Sequence, residues 1–192
     1  MGDSRFMKRL YTPGEFYRIL GDLAAHLGDM RAAHRGGRVS KAFMERIMMA
    51  VTEVNGCRYC SYFHSQVALK AGMEKQEIER TLVGDFDMAP AEELAALYFA
   101  QHYAETAGKP QAEALHCLID TYGEAKSRDI LAYIRAIMVG NAWGNMFDSL
   151  RLRVKGKPTN GVTLWDELSV VFGTLIMAPL AALRSLLKFA PS

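Results

Sequence analysis

The sequence is short of cysteine, of net charge and of long apolar runs. Three cysteines in 192 residues are too few for a secreted disulfide scaffold. A formal net charge of +2 gives no electrostatic case for a nucleic-acid partner. The most apolar stretch, Val170 to Leu183, falls short of the roughly 18–20 residues that cross a bilayer, and it holds Gly173 and Pro179. No transmembrane span is therefore expected. Arg5, Lys8 and Arg9 are followed by no apolar h-region, so no secretory signal is expected either. Strand-like alternation never runs to a useful length, and no internal repeat is visible. The remaining composition, 50% hydrophobic and 23% charged, is that of a globular chain. Its length suits one domain, or one domain plus an arm.

The informative stretch runs Glu53-Val54-Asn55-Gly56-Cys57-Arg58-Tyr59-Cys60-Ser61-Tyr62-Phe63-His64. Asn55-Gly56 breaks a helix, so Cys57 opens a new one, and no Gly or Pro interrupts Tyr59 to Ala71. On that helix Cys57 and Cys60 are one turn apart, as are Cys60 and His64. Helical residues three apart have Cβ atoms about 5–6 Å from each other, so modest adjustment permits a disulfide. Free N–H groups and the positive dipole end at a helix start stabilise a thiolate, and Arg58 adds a cation. His64 can carry the Cys60 proton or stabilise its thiolate. A thiolate attacks a peroxide or a disulfide, and a neighbouring thiol resolves the product into an intramolecular disulfide. The same side chains admit a zinc site, with two thiolates, His64 and Glu45 as donors. Without a second CxxC or an HxxxH, a structural zinc knuckle is disfavoured, and neither a metal nor a cofactor is expected.

Cys57-x2-Cys60-x3-His64, with Glu45 twelve residues before Cys57, resembles the signature of the AhpD-like alkylhydroperoxidases of the carboxymuconolactone decarboxylase superfamily. The continuation Ala68-Leu69-Lys70-Ala71-Gly72-Met73 before an acidic helix is similar too. The resemblance is specific from Phe43 to Val83 and diffuse elsewhere. It implies an all-α, AhpD-like helical bundle, usually oligomeric, with active sites near subunit contacts. It implies Cys60 as the peroxidatic cysteine, Cys57 as the resolving one, and Glu45 with His64 as a proton relay. It also implies a hydroperoxide substrate and a thiol or dithiol electron donor, such as a lipoyl or thioredoxin-like protein. The superfamily's decarboxylase branch lacks the paired cysteines, which argues against decarboxylation. A cytoplasmic, homo-oligomeric thiol-dependent peroxidase is the expectation. The alternatives are a dithiol–disulfide oxidoreductase without a physiological peroxidase role, or a metal-binding or interaction protein. Glu53 is the second choice as relay carboxylate. An unbroken helix would set it on one stripe with Cys57, Cys60 and His64, but a break at Asn55-Gly56 removes that stripe.

Elsewhere the pattern predicts helices with short connections. Thr12 and Glu15 form a capping box before Phe16, Ile19, Leu20, Leu23 and Leu27, with Gly28 as the stop and Arg31 to Arg38 as a loop. Ser40 caps a helix whose apolar face includes Phe43, Ile47 and Val51, with Glu45 beside that face. The cysteine helix should end at Gly72, an acidic helix should follow over Glu74 to Val83, and the helix after Pro90 should pack over the cysteine helix. Cys117, next to His116, reads as a buried small hydrophobe. Ser127 or Asp129 starts a longer helix in which Asn141 and Asn145 pack rather than line a pocket. Thr163 and Asp166 open one last helix. These features predict a helical domain over 1–160 and an apolar C-terminal helix over 161–192. That helix should dock on a neighbouring subunit or finish the core, with Arg184 and Lys188 on a leucine-rich face. An interfacial membrane helix is the less favoured reading.

Overall fold

The structure, a computed structural model, describes residues 8–188, and among them the chain is all-α with one 3-10 turn and no strand. The helices are α1 (Pro13–Ala25), α2 (Leu27–Gly36), α3 (Lys41–Asn55), α4 (Arg58–Lys70), α5 (Lys75–Thr81), α6 (Leu94–Glu105), α7 (Ala112–Val154), α8 (Leu164–Val171) and α9 (Thr174–Lys188), and the 3-10 turn (Ala91–Glu93) precedes α6. Local sequence sets many of their ends. Capping boxes open α1 (Thr12, Glu15) and α8 (Thr163, Asp166). The Ser40 hydroxyl accepts the Phe43 N–H at the head of α3.

α3 and α7 organise the bundle. α3 lies against α4, α6 and α7, and α7 also lies against α1, α2 and α8. In the largest buried cluster Phe43, Ile47 and Val51 of α3 meet Leu97 of α6 and Ile130 and Ile134 of α7. Ala142 and Met146 carry α7 into a second cluster with Phe16 and Leu20 of α1 and Val170 of α8. A small third cluster of Met49, Ala68, Met73 and Ile78 seats α4 and α5 on α3. Each fully buried large apolar side chain contributes roughly 1.5–3 kcal/mol. Buried Arg46 donates to Glu77 (2.5 Å) and Glu93 (2.9 Å), tying α3 to α5 and to the 3-10 turn.

Several expectations are corrected. Residues 31–38 are mostly helix, because arginine and alanine are good helix formers and buried Ala33 anchors α2. The first helix stops at Ala25 with His26 as its cap, Gly28 lies inside α2, and α2 in turn stops at Gly37, in the left-handed region at φ 61°. α6 packs on α3 and α7 rather than over the cysteine helix, since Ala96, Leu97 and Ala100 face that cluster. Cys117 is exposed, and its neighbour Leu118 takes the buried position. The long helix resumes after a break at Gly123 (φ 72°, ψ 161°), and the Ser127 hydroxyl bonds back to the Leu118 carbonyl (3.0 Å) instead of capping a start. The single last helix is two, α8 and α9, bent by 54°. A Cβ on Gly173 would lie 2.0 Å from the Ser169 carbonyl oxygen, so that corner requires glycine.

Among the described residues no single helix is long and apolar enough to cross a membrane. Arg5 and the side chains of Arg184 and Lys188 lie outside the described residues.

Candidate active site

α3 stops at Asn55 because Gly56 turns left-handed (φ 65°), and Cys57 becomes the N-cap of α4. Distant groups hold this corner. The Asn145 side-chain amide donates to the Asn55 carbonyl (2.7 Å) and to the Arg9 carbonyl (3.0 Å). The Tyr11 hydroxyl donates to Asn55 Oδ1 (2.9 Å). Asn141 accepts the Thr52 hydroxyl through Oδ1 (3.1 Å), so both asparagines brace the packing, as expected.

Cys57 and Cys60 form a disulfide with Cα atoms 5.3 Å apart. Cys57 is fully buried and Cys60 half-buried, so Cys60 is the outer sulfur. The Cys60 N–H donates to Cys57 Sγ (3.3 Å), which places sulfur against the free donors of the helix start. One turn on, His64 is 8% exposed and Glu45 only 2%. His64 Nδ1–H donates to Glu45 Oε2 at 2.7 Å, which leaves Nε2 as the ring nitrogen free to exchange a proton. The Phe63 ring stands edge-on to the imidazole at 5.2 Å.

The structure thus brings Glu45 to His64 across α3 and α4. Glu53 is turned elsewhere: it accepts from Gln101 Nε2 (3.2 Å), and burial, with Glu105 nearby, raises its pKa. Arg58 is not a free cation beside the sulfurs, because it donates to Asp148 on α7. Asp148 also accepts from Lys8 Nζ (2.6 Å) and the Tyr59 hydroxyl (3.0 Å). Burial alone would raise the Asp148 pKa, but Lys8, Tyr59 and Arg58 more than offset it and hold the carboxyl below its ordinary value. Among the described residues no group of three or more His, Cys, Asp or Glu is placed to hold a metal ion.

Gly144 of α7 was missed as a site residue. A Cβ there would lie 2.9 Å from Cys57 Sγ and 3.6 Å from Cys60 Sγ, so this glycine lets α7 pass directly over the disulfide. The small-residue spacing Gly140 to Gly144 was its only trace in the sequence. Asp148 left none, because its partners on α4 lie about as far away in sequence as α3 is from α7.

Fold and site together define an all-α protein with a disulfide-forming CxxC pair beside a His–Glu pair, an arrangement consistent with oxidoreductase chemistry. Residues 21–102, which hold Glu45, both cysteines and His64, match the model of the carboxymuconolactone decarboxylase family. The matched segment, less than half of the chain, is similar to that family, and the Cys57–Cys60 disulfide lies within it. The uncharacterized protein YdfG of Bacillus subtilis is 25% identical over 144 residues, covering 74% of this chain and 96% of that protein. No solved structure matches the chain.

Proposed function

We propose that the protein is a thiol-dependent peroxidase of the alkylhydroperoxidase type that cycles Cys57 and Cys60 between dithiol and disulfide. The observation that carries this reading is the buried 2.7 Å His64–Glu45 pair one turn from half-buried Cys60, which is itself joined to buried Cys57.

In the reduced state Cys60 passes its proton to His64 Nε2, and Glu45 steadies the imidazolium through Nδ1–H. The thiolate attacks the outer oxygen of a hydroperoxide ROOH. The O–O bond breaks, Cys60 becomes a sulfenic acid, and the departing alkoxide takes the proton from His64 as ROH. The Cys57 thiol then attacks the Cys60 sulfur, forming the disulfide and releasing water. An external dithiol, of lipoyl or thioredoxin-like chemistry, attacks the outer Cys60 sulfur, and its second thiol displaces the mixed disulfide. Two electrons and two protons restore the pair.

The half-buried position of Cys60 also fits a dithiol–disulfide oxidoreductase whose oxidant is another disulfide. Peroxide consumption with dihydrolipoamide as donor separates the two. Cys60→Ser should abolish turnover. Cys57→Ser should accumulate a Cys60 sulfenic acid that dimedone captures by mass. If peroxide leaves no such adduct while the wild-type disulfide still exchanges with dithiols, the oxidoreductase reading replaces the peroxidase one.

A further inference from the structure

Among its described residues α9 has two apolar faces, and one of them is covered. Met177, Ala178 and Ala181 join the cluster against α1, with Phe16 and Leu20. Leu175 and Ile176, 80% and 66% exposed, point away from it, and exposed Leu180 and Leu183 extend the same stripe along the helix. Across the Gly173 corner, exposed Trp165 and Phe172 continue it, and an apolar groove of about 360 Å³ runs between α8 and α9. Single exposed apolar residues are ordinary, but a contiguous stripe over two helices marks a contact surface.

Charge says what the contact is. After Glu167 the chain has no acidic residue, and its charged residues there are Arg184 and Lys188. The two carboxylates on α8 are engaged. Asp166 is held in the Thr163 capping box, and fully buried Glu167 accepts from Arg153 (2.5 Å) and the Ser149 hydroxyl (2.6 Å). On the connector into α8, Lys155 and Lys157 are exposed and have no carboxylate partner among the described residues. An outward apolar stripe with a tryptophan, next to the unpaired Lys155 and Lys157 and with the α8 carboxylates engaged, has the chemistry of an interfacial helix on anionic lipid.

We propose that the α8–α9 face docks the protein on an anionic phospholipid surface, lying along the interface without spanning it. Trp165, Phe172, Leu175 and Ile176 enter the headgroup region, while Lys155 and Lys157 meet lipid phosphates.

Flotation of the full chain with vesicles tests this, using pure phosphatidylcholine against an equal mixture of phosphatidylcholine and phosphatidylglycerol. The wild type should float with the mixed vesicles, about tenfold more than with the neutral ones, and should be released by salt. Leu175→Asp with Ile176→Asp should lose flotation while keeping the wild-type circular dichroism spectrum and the Cys57–Cys60 disulfide, since both positions are on the surface. Absence of wild-type flotation, equal flotation with neutral vesicles, or flotation indifferent to the double substitution each overturns the proposal. So does a wild type that never floats but whose oligomer mass falls in the variant, which would make a second copy of this chain the occupant. None of these readouts involves peroxide turnover, so the proposed activity stands or fails separately.

Discussion

Glu45 is a nearly inaccessible carboxylate in the middle of a helix, and the polar partner the structure gives it is His64. A buried carboxylate is costly unless paired, which argues that the pair is kept for what it does. Glu45→Gln preserves shape and still accepts a hydrogen bond from Nδ1, but removes the charge that supports an imidazolium. The expected result is a loss of about 10²-fold in kcat/KM for hydroperoxide with little change in melting temperature. Glu53→Gln, measured beside it, should stay within a few-fold of wild type, because Glu53 faces Gln101. Asp148 bears on stability instead. Its folded pKa lies below the ordinary value of 3.8, so as pH falls the unfolded chain takes up that proton first. Its contribution is therefore complete above about pH 4 and is lost as pH drops through the folded pKa. Asp148→Asn should lower stability at neutral pH by about 1–3 kcal/mol and flatten the acid limb of a stability–pH curve. Urea denaturation from pH 7 down to pH 3 reads both effects.

Gly144 shows how one helix limits another. Its Cα faces a sulfur that is buried and locked in a disulfide, so an added methyl has no flexible side chain to push aside. Gly144→Ala should cost about 1–3 kcal/mol in urea unfolding of the oxidised protein, the usual range for overpacking. Gly140→Ala, where the nearest atom is Ile137 Cδ1 at 3.9 Å, should cost less than half as much. The elements legible in the sequence were those set by short-range chemistry: the Thr12 and Thr163 capping boxes, the Ser40 cap, and the Asn55-Gly56 break that makes Cys57 an N-cap. The Cys57, Cys60 and His64 positions followed from that break. Glu45 was reached only through the family resemblance, since its helix pattern alone suggests a half-exposed residue. α2 was misread because its glycines and arginines look like a connector until Ala33 finds a core. The α8–α9 corner was misread because the crowding at Gly173 exists only once the chain has bent. Asp148 was invisible for a related reason, since it acts through tertiary contacts that no local pattern encodes, and for Gly144 the small-residue spacing hinted at a close approach without saying to what.

At the scale of the whole molecule, the proposed cycle requires one fold with and without the Cys57–Cys60 bond. That bond closes a very short loop, so it restricts the unfolded chain little, by about 2 kcal/mol on a loop-entropy estimate. The neighbouring helices are held by other means. Ala68 of α4 is buried with Met49 of α3 and with Met73 and Ile78, and the His64–Glu45 bond joins the same two helices. Asn145 and Tyr11 secure the corner from α7 and the N-terminal segment. Against a typical domain stability of about 5–15 kcal/mol, losing about 2 leaves the reduced protein folded. Reduction with dithiothreitol should therefore lower the urea unfolding free energy by about 2 kcal/mol or less, with an unchanged m-value and helical circular dichroism. The Cys57→Ser, Cys60→Ser double variant should match the reduced wild type and removes any contribution from exposed Cys117. A reduced protein that unfolds without denaturant, or whose m-value changes, would make the bond a structural staple. A chain that falls apart each time it gives up its electrons could not turn over, and the peroxidase reading would go with it.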